Sequence, residues 1–180
     1  MCAAGWEFFE RFDDTVRAQH FHPFIPAEYE IVRDALLEHR APGQTFLEWG
    51  SGSGVITIMA DLVGFDAYGI ELDSVLVQSA RTLAKRFDSR ATFVCGSFLP
   101  TGYRWPGMPG TGDEPFTGDG PSGYLQLGRA LADFDVVYGY PWNGEAPMMR
   151  DLMAKFGRRD ALLLLNDTIE GVHAERRASR

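Results

Sequence analysis

The feature that most constrains this chain is residues 45–73, TFLEWGSGSGVITIMADLVGFDAYGIELD. An apolar run, a glycine-rich turn, a helix-periodic segment and a second apolar run follow one another and end in acids. Thr45, Phe46 and Leu47 suit a buried strand, and Val55, Ile58, Met59 and Leu62 recur at helical spacing. Gly50, Gly52 and Gly54 suit a turn whose backbone must come close to a ligand, since glycine has no side chain to hold it off. Phe65 to Ile70 reads as a second strand with Glu71 at its carboxyl end. Gly50 and Glu71 lie 21 residues apart, near the roughly 20 that separate a glycine turn from a ribose-binding carboxylate in a βαβ nucleotide fold.

The flanking segments extend the same alternation. Residues 6–21 place Trp6, Phe9, Phe12 and Val16 at helical spacing, which predicts an amphipathic helix that either packs on the domain or caps the ligand cleft. Pro23 to Pro26 breaks it, and a second helix is expected over 27–39 until Pro42 and Gly43. Ser74 is a candidate N-cap for a helix carrying Leu76, Ala80, Leu83 and Phe87. Further strands are expected at 91–94, 134–138 and 161–165, with helices at 125–132 and 147–156 between them. Near-continuous apolar strands alternating with helices predict a mostly parallel sheet covered on both faces, an α/β three-layer sandwich with about five strands.

Three regions fall outside this rhythm. Residues 101–124 contain seven glycines and four prolines, which leaves no regular element and predicts a disordered insertion or a lid. Residues 167–180 read as a solvated basic tail. Residues 1–42 form an N-terminal helical cap on a core spanning 43–166, within one domain of 180 residues, long enough for a single sizeable core.

Composition narrows the partners. The formal net charge is −8, which disfavours nucleic acid, because phosphate binding needs clustered Lys and Arg. Cys2 and Cys95 are far apart and form neither a disulfide framework nor a CxxC metal site. His20 and His22 alternate without a completing carboxylate or cysteine, so no metal site is expected. The absence of a signal-peptide pattern and of any apolar run near the roughly 20 residues of a span predicts a cytoplasmic protein with no membrane partner.

The glycine pattern is GxGxG, with Val55 where a dinucleotide fingerprint would put Gly or Ala. With Glu48 ahead of the turn and Glu71 after it, residues 43–165 resemble the class I S-adenosylmethionine-dependent methyltransferases, whose fold is Rossmann-like. The resemblance implies that Glu48, Gly50, Ser51, Gly52 and Gly54 lie against the methionine portion of S-adenosylmethionine. It implies further that Glu71 holds the ribose hydroxyls with Leu72 beside the ring, and that Ser97 and Phe98 flank the adenine. Many members carry an acid where Ser97 stands. An acidic cradle of Glu48, Glu71 and Asp73, with no basic residue between positions 44 and 80, suits a sulfonium better than a pyrophosphate.

Gly139-Tyr140-Pro141-Trp142 echoes the motif with which some members methylate nucleobase amines, but it has one proline and no leading acid or amide. A second resemblance, to small lysine methyltransferases of the ATP synthase c-subunit type, rests on Pro23-Phe24-Ile25-Pro26, on Asp135-Val136-Val137 and its following proline, and on Met148-Met149. It implies a lysine acceptor. Tyr140, Asn143 and Glu145 are the candidates for taking an acceptor proton. A methyltransferase acting on a small molecule or a protein side chain is therefore expected. The alternatives are a nicotinamide-dependent oxidoreductase and a non-catalytic domain that binds S-adenosylmethionine.

Overall fold

The computed structural model describes residues 1–14, 24–105, 120–142, 144–167 and 169–176. His20, His22, Asn143, the end of the first expected helix and most of the glycine–proline segment lie outside them. The elements run α1 (Cys2–Phe12), α2 (Tyr29–His39), β1 (Thr45–Trp49), α3 (Val55–Leu62), β2 (Asp66–Glu71), α4 (Ser74–Arg86) and β3 (Thr92–Cys95). After the insertion come α5 (Tyr124–Leu127), β4 (Val136–Gly139), α6 (Ala146–Phe156), β5 (Leu162–Asp167) and β6 (Gly171–Arg176).

The strands form one six-stranded sheet in the order β3-β2-β1-β4-β5-β6. All pairs are parallel except the last. The chain builds outward from β1 through β2 to β3, then returns to lay β4 on the other side of β1. That reversal opens a crevice beyond the carboxyl ends of β1 and β4, where ligands of such sheets bind. One face of the sheet is covered by α2 and α3, with Val32, Leu36, Phe46, Ala60 and Leu164 in its core. The other is covered by α5 and α6, which bury Leu47, Val137, Met149 and Leu152.

The sixth strand corrects the expectation of a solvated tail after Asn166. Asp167 makes the turn, its carboxylate accepting from the backbone N–H of Ile169 at 2.7 Å and of Glu170 at 3.0 Å. Gly171 follows at φ +81. The strand then pairs antiparallel from Asp167↔Gly171 to Leu162↔Arg176. Arg150 on α6 pins its far end, Nη2 lying 2.7 Å from Glu175. An edge strand need bury only one side, so Val172-His173-Ala174-Glu175 lacks the apolar run that marked the other strands.

The cap of α4 is also corrected. Asp73, not Ser74, occupies the N-cap, and its Oδ1 accepts from the N–H of Val75 at 2.6 Å and of Leu76 at 3.1 Å. Its extended backbone points the carboxylate back over the first turn, while Ser74 is already helical.

Candidate functional site

A cavity of about 580 Å³ lies at the switch between β1 and β4. Each strand end delivers one part of it. At the end of β1 the chain turns through Gly50, Gly52 and Gly54 at φ +68, +52 and +81, conformations closed to most other residues. Gly50 and Ser51 line the cavity; Gly52 and Gly54 do not. These last two are required by packing. A Cβ on Gly54 would stand 2.6 Å from the Ala80 Cβ and 2.7 Å from the Phe93 ring, and one on Gly52 would stand 2.5 Å from the Phe24 ring. The Ser51 hydroxyl is buried and has no hydrogen-bond partner among the described residues.

Glu71, at the end of β2, braces this turn. One carboxylate oxygen accepts from the Gly52 N–H at 2.8 Å and the other from the Asp73 N–H at 2.9 Å. Burial pushes its pKa up, against these backbone hydrogen bonds. Each oxygen keeps a further lone pair, so the side chain can still accept from a diol.

Glu48 is only 4% exposed. One of its oxygens accepts from both the backbone N–H and the hydroxyl of Thr57 on α3. Burial lifts its pKa to about 8, the Thr57 hydrogen bonds opposing and the Glu71 charge adding to the rise. At neutral pH this carboxyl is largely protonated.

After β3, Phe98 lines the cavity and stacks on Trp49 with centroids 5.6 Å apart. Ser97 is buried outside it, and its hydroxyl accepts from the Leu99 N–H at 3.0 Å. Leu72 completes this side. After β4, Tyr140 and Glu145 both line the cavity. The Tyr140 pKa is raised by burial, then by Asp167 and Glu28, so the hydroxyl stays protonated at neutral pH and is a donor rather than a base. Glu145 is buried, and its carboxylate accepts from the Trp142 N–H at 2.9 Å.

Sequence reasoning missed part of the wall. Tyr29, Tyr138 and Asn166 also line the cavity and are almost fully buried. Tyr138 and Asn166 lie in apolar strands and carry no local signal that separates them from core residues. Phe24 roofs the glycine turn and meets Phe9 and Phe12 edge-on at 5.8 and 5.5 Å. Gly5 lets α1 approach Val55, where a Cβ would stand 2.6 Å from the side chain. The aromatic face of α1 therefore both packs on the domain and holds a ring over the cleft.

The cavity lining contains five acidic side chains, Glu48, which is largely protonated at neutral pH, with Glu71, Asp73, Glu145 and Asp167, and among the described residues no Lys, Arg or His. Such a lining favours a cation and repels phosphate.

No protein-family model matches the chain. It is similar to an RNA methyltransferase of Salinibacter ruber solved with S-adenosyl-L-homocysteine, at 19% identity and a TM-score of 0.56 over 78% of this chain and 76% of that one. It is also similar to a SAM-dependent methyltransferase of Geobacter sulfurreducens solved with the same nucleoside, at 20% identity and a TM-score of 0.55 over 87% of this chain and 54% of that one. The fold is that of the class I methyltransferases. In sequence, the ribosomal protein L11 methyltransferase of Thermus thermophilus is 39% identical over 105 residues, 55% of this chain and 41% of that protein. The chain thus spans about two fifths of that relative's length. These likenesses and the mostly parallel sheet bear out the class I methyltransferase resemblance and the Rossmann-like architecture drawn from residues 43–165, with six strands in place of about five.

Proposed function

We propose that the chain is an S-adenosylmethionine-dependent methyltransferase whose acceptor is an amine on a protein side chain. The observation that carries this reading is the cavity at the strand switch, with five acidic side chains and no described cationic side chain. S-adenosylmethionine, when bound, supplies a methyl group on a positively charged sulfur. The residues fit it: Glu71 stands where a ribose diol can be accepted, Ser51 offers a buried hydroxyl without a partner, and the glycine turn leaves the backbone of Gly50 open to the ligand. A pyrophosphate would face the same acidic side chains with no compensating cation among the described residues.

The same charge balance bears on the acceptor. An amine reaches the site as an ammonium, and ionised Asp167 at the mouth, its pKa lowered by the Ile169 and Glu170 N–H groups, attracts it. The protein's contribution is to align the acceptor at about 3 to 3.5 Å and to exclude water, which can supply several kcal/mol of the barrier. Phe24 and Trp142 are among the apolar side chains that line the cavity. The likeness to enzymes named for a ribosomal protein, and the ATP synthase c-subunit resemblance, support a protein acceptor.

Calorimetry with S-adenosylmethionine, S-adenosylhomocysteine and NADH tests the donor. Both sulfur nucleosides should bind and NADH should not; NADH binding with silence from the other two overturns the reading. Ligand at 100 times its Kd should stabilise the fold by about 2.7 kcal/mol, and Glu71→Ala should largely abolish that gain. Methyl transfer from radiolabelled donor to protein extracts tests the acceptor, with label confined to small molecules as the contrary result.

A further inference from the structure

We infer that the Tyr138 hydroxyl and the Asn166 side-chain amide, set side by side at the ends of β4 and β5, form the seat for the acceptor's nucleophilic nitrogen. This rests on the methyl-donor reading above and deepens it.

The placement follows from strand order. With the ribose at Glu71 on β2 and the glycine turn at the end of β1, the next strands outward are β4 and β5. Whatever accepts the methyl group must therefore approach over their ends. Glu48 pairs with Tyr138 across β1 and β4, and Gly139 pairs with Leu165 across β4 and β5. Asn166 stands two residues beyond Leu164, the partner of Tyr138, so it shares that strand face one row further out. All three side chains line the same cavity.

The chemistry of the pair is unusual for its depth. Tyr138 is 1% exposed and Asn166 5%. The Tyr138 hydroxyl finds no well-formed hydrogen bond among the described residues, although the Asn166 side chain lies beside it. A buried polar group left without a partner is costly, and native proteins rarely keep one without a use. Burial and the neighbouring Glu48 hold the tyrosine protonated, so it offers a lone pair and a hydrogen but no charge.

Neutral acceptors suit this reaction better than a carboxylate would. A carboxylate in contact with the nitrogen would favour the ammonium, which has no lone pair to give. The tyrosine oxygen and the amide carbonyl can each accept one N–H from a neutral amine, leaving its lone pair free in the remaining direction. The exposed Asp167 stays at the rim, where it gathers the ammonium; the ammonium gives its proton to solvent there, and the neutral amine reaches the seat with its lone pair free.

Sinefungin tests the seat without turnover. In this analogue of the donor a carbon bearing an amine replaces the methylated sulfur, so the amine stands where the methyl group would, within hydrogen-bond reach of a seat built to meet that methyl group. Affinities of the full chain for sinefungin and S-adenosylhomocysteine would be measured by calorimetry for wild type, Tyr138→Phe and Asn166→Ala. Each substitution should cut the ratio of sinefungin to S-adenosylhomocysteine affinity about tenfold and leave S-adenosylhomocysteine binding within twofold. Tyr138→Phe removes only one oxygen, so it keeps the test open should Asn166→Ala unfold. An unchanged ratio, or parallel losses for both nucleosides, overturns the inference. Silence of the wild type toward both nucleosides instead overturns the donor reading, and the seat with it.

Discussion

Replacing Glu48 with glutamine should flatten the fall of stability with pH between about pH 5 and 8. The native carboxyl titrates at about 8, against 4.5 for the unburied group. Below pH 4.5 both states hold the proton. Between 4.5 and 8 the native state holds one proton more than the unfolded chain, so its stability falls as pH rises, at about 1.4 kcal/mol per pH unit. Over the whole interval the loss is on the order of 5 kcal/mol, a large part of the roughly 5–15 kcal/mol that stabilises a domain. Glutamine keeps a carbonyl oxygen for the two Thr57 bonds and has nothing to titrate. Urea unfolding at pH 5, 6, 7 and 8 should show the wild-type advantage over Glu48→Gln shrinking by about 3 to 4 kcal/mol across the series. Differencing the two proteins removes the titration of other groups, to the extent that they do not couple to Glu48. A difference that stays constant with pH would show that Glu48 is ionised throughout and refute its proposed burial as an acid. A cation beside Glu48 favours the ionised form, so affinity for S-adenosylmethionine should rise with pH more steeply than affinity for S-adenosylhomocysteine, with half the change near pH 8.

Two further substitutions separate packing from ligand contact. Gly54→Ala meets a left-handed backbone and close contacts with Ala80 and Phe93, for a combined loss of about 2 to 5 kcal/mol in urea unfolding. Gly50→Ala has the backbone term alone, with nothing within 4 Å of its Cβ, and should cost about 1 to 2 kcal/mol; equal losses would contradict the packing argument. Asp73→Ala should lower stability by about 1 kcal/mol through its lost cap, whereas Ser74→Ala should stay within about 0.5 kcal/mol. A reversed order in thermal melts would return the cap to Ser74.

The chain's sequence alone was enough for the βαβ unit at residues 45–73, its glycine turn and the carboxylate that follows, because these are written in short-range chemistry. Apolar periodicity, residues with no Cβ and a fixed spacing to Glu71 are properties of neighbours along the chain. The alternation of apolar strands and helices likewise announced the parallel sheet. What remained hidden depends on partners far away in sequence. The last strand looks polar because it is an edge, and only its pairing with β5 makes it a strand. Gly52 and Gly54 read as ligand contacts, yet their space is taken by Phe24, Ala80 and Phe93, from three separate segments. Ser97 turned inward to Leu99, leaving Phe98 to face the cavity. Tyr138 and Asn166, 28 residues apart along the chain, become neighbours through the register of β4 on β5. Sequence could thus place the glycine turn and the acid that braces it, since both are set by neighbours along the chain. The grouping of Tyr138 with Asn166 at one cavity wall was decided by the tertiary structure, because cross-strand proximity is a property of strand order and register that no local pattern encodes.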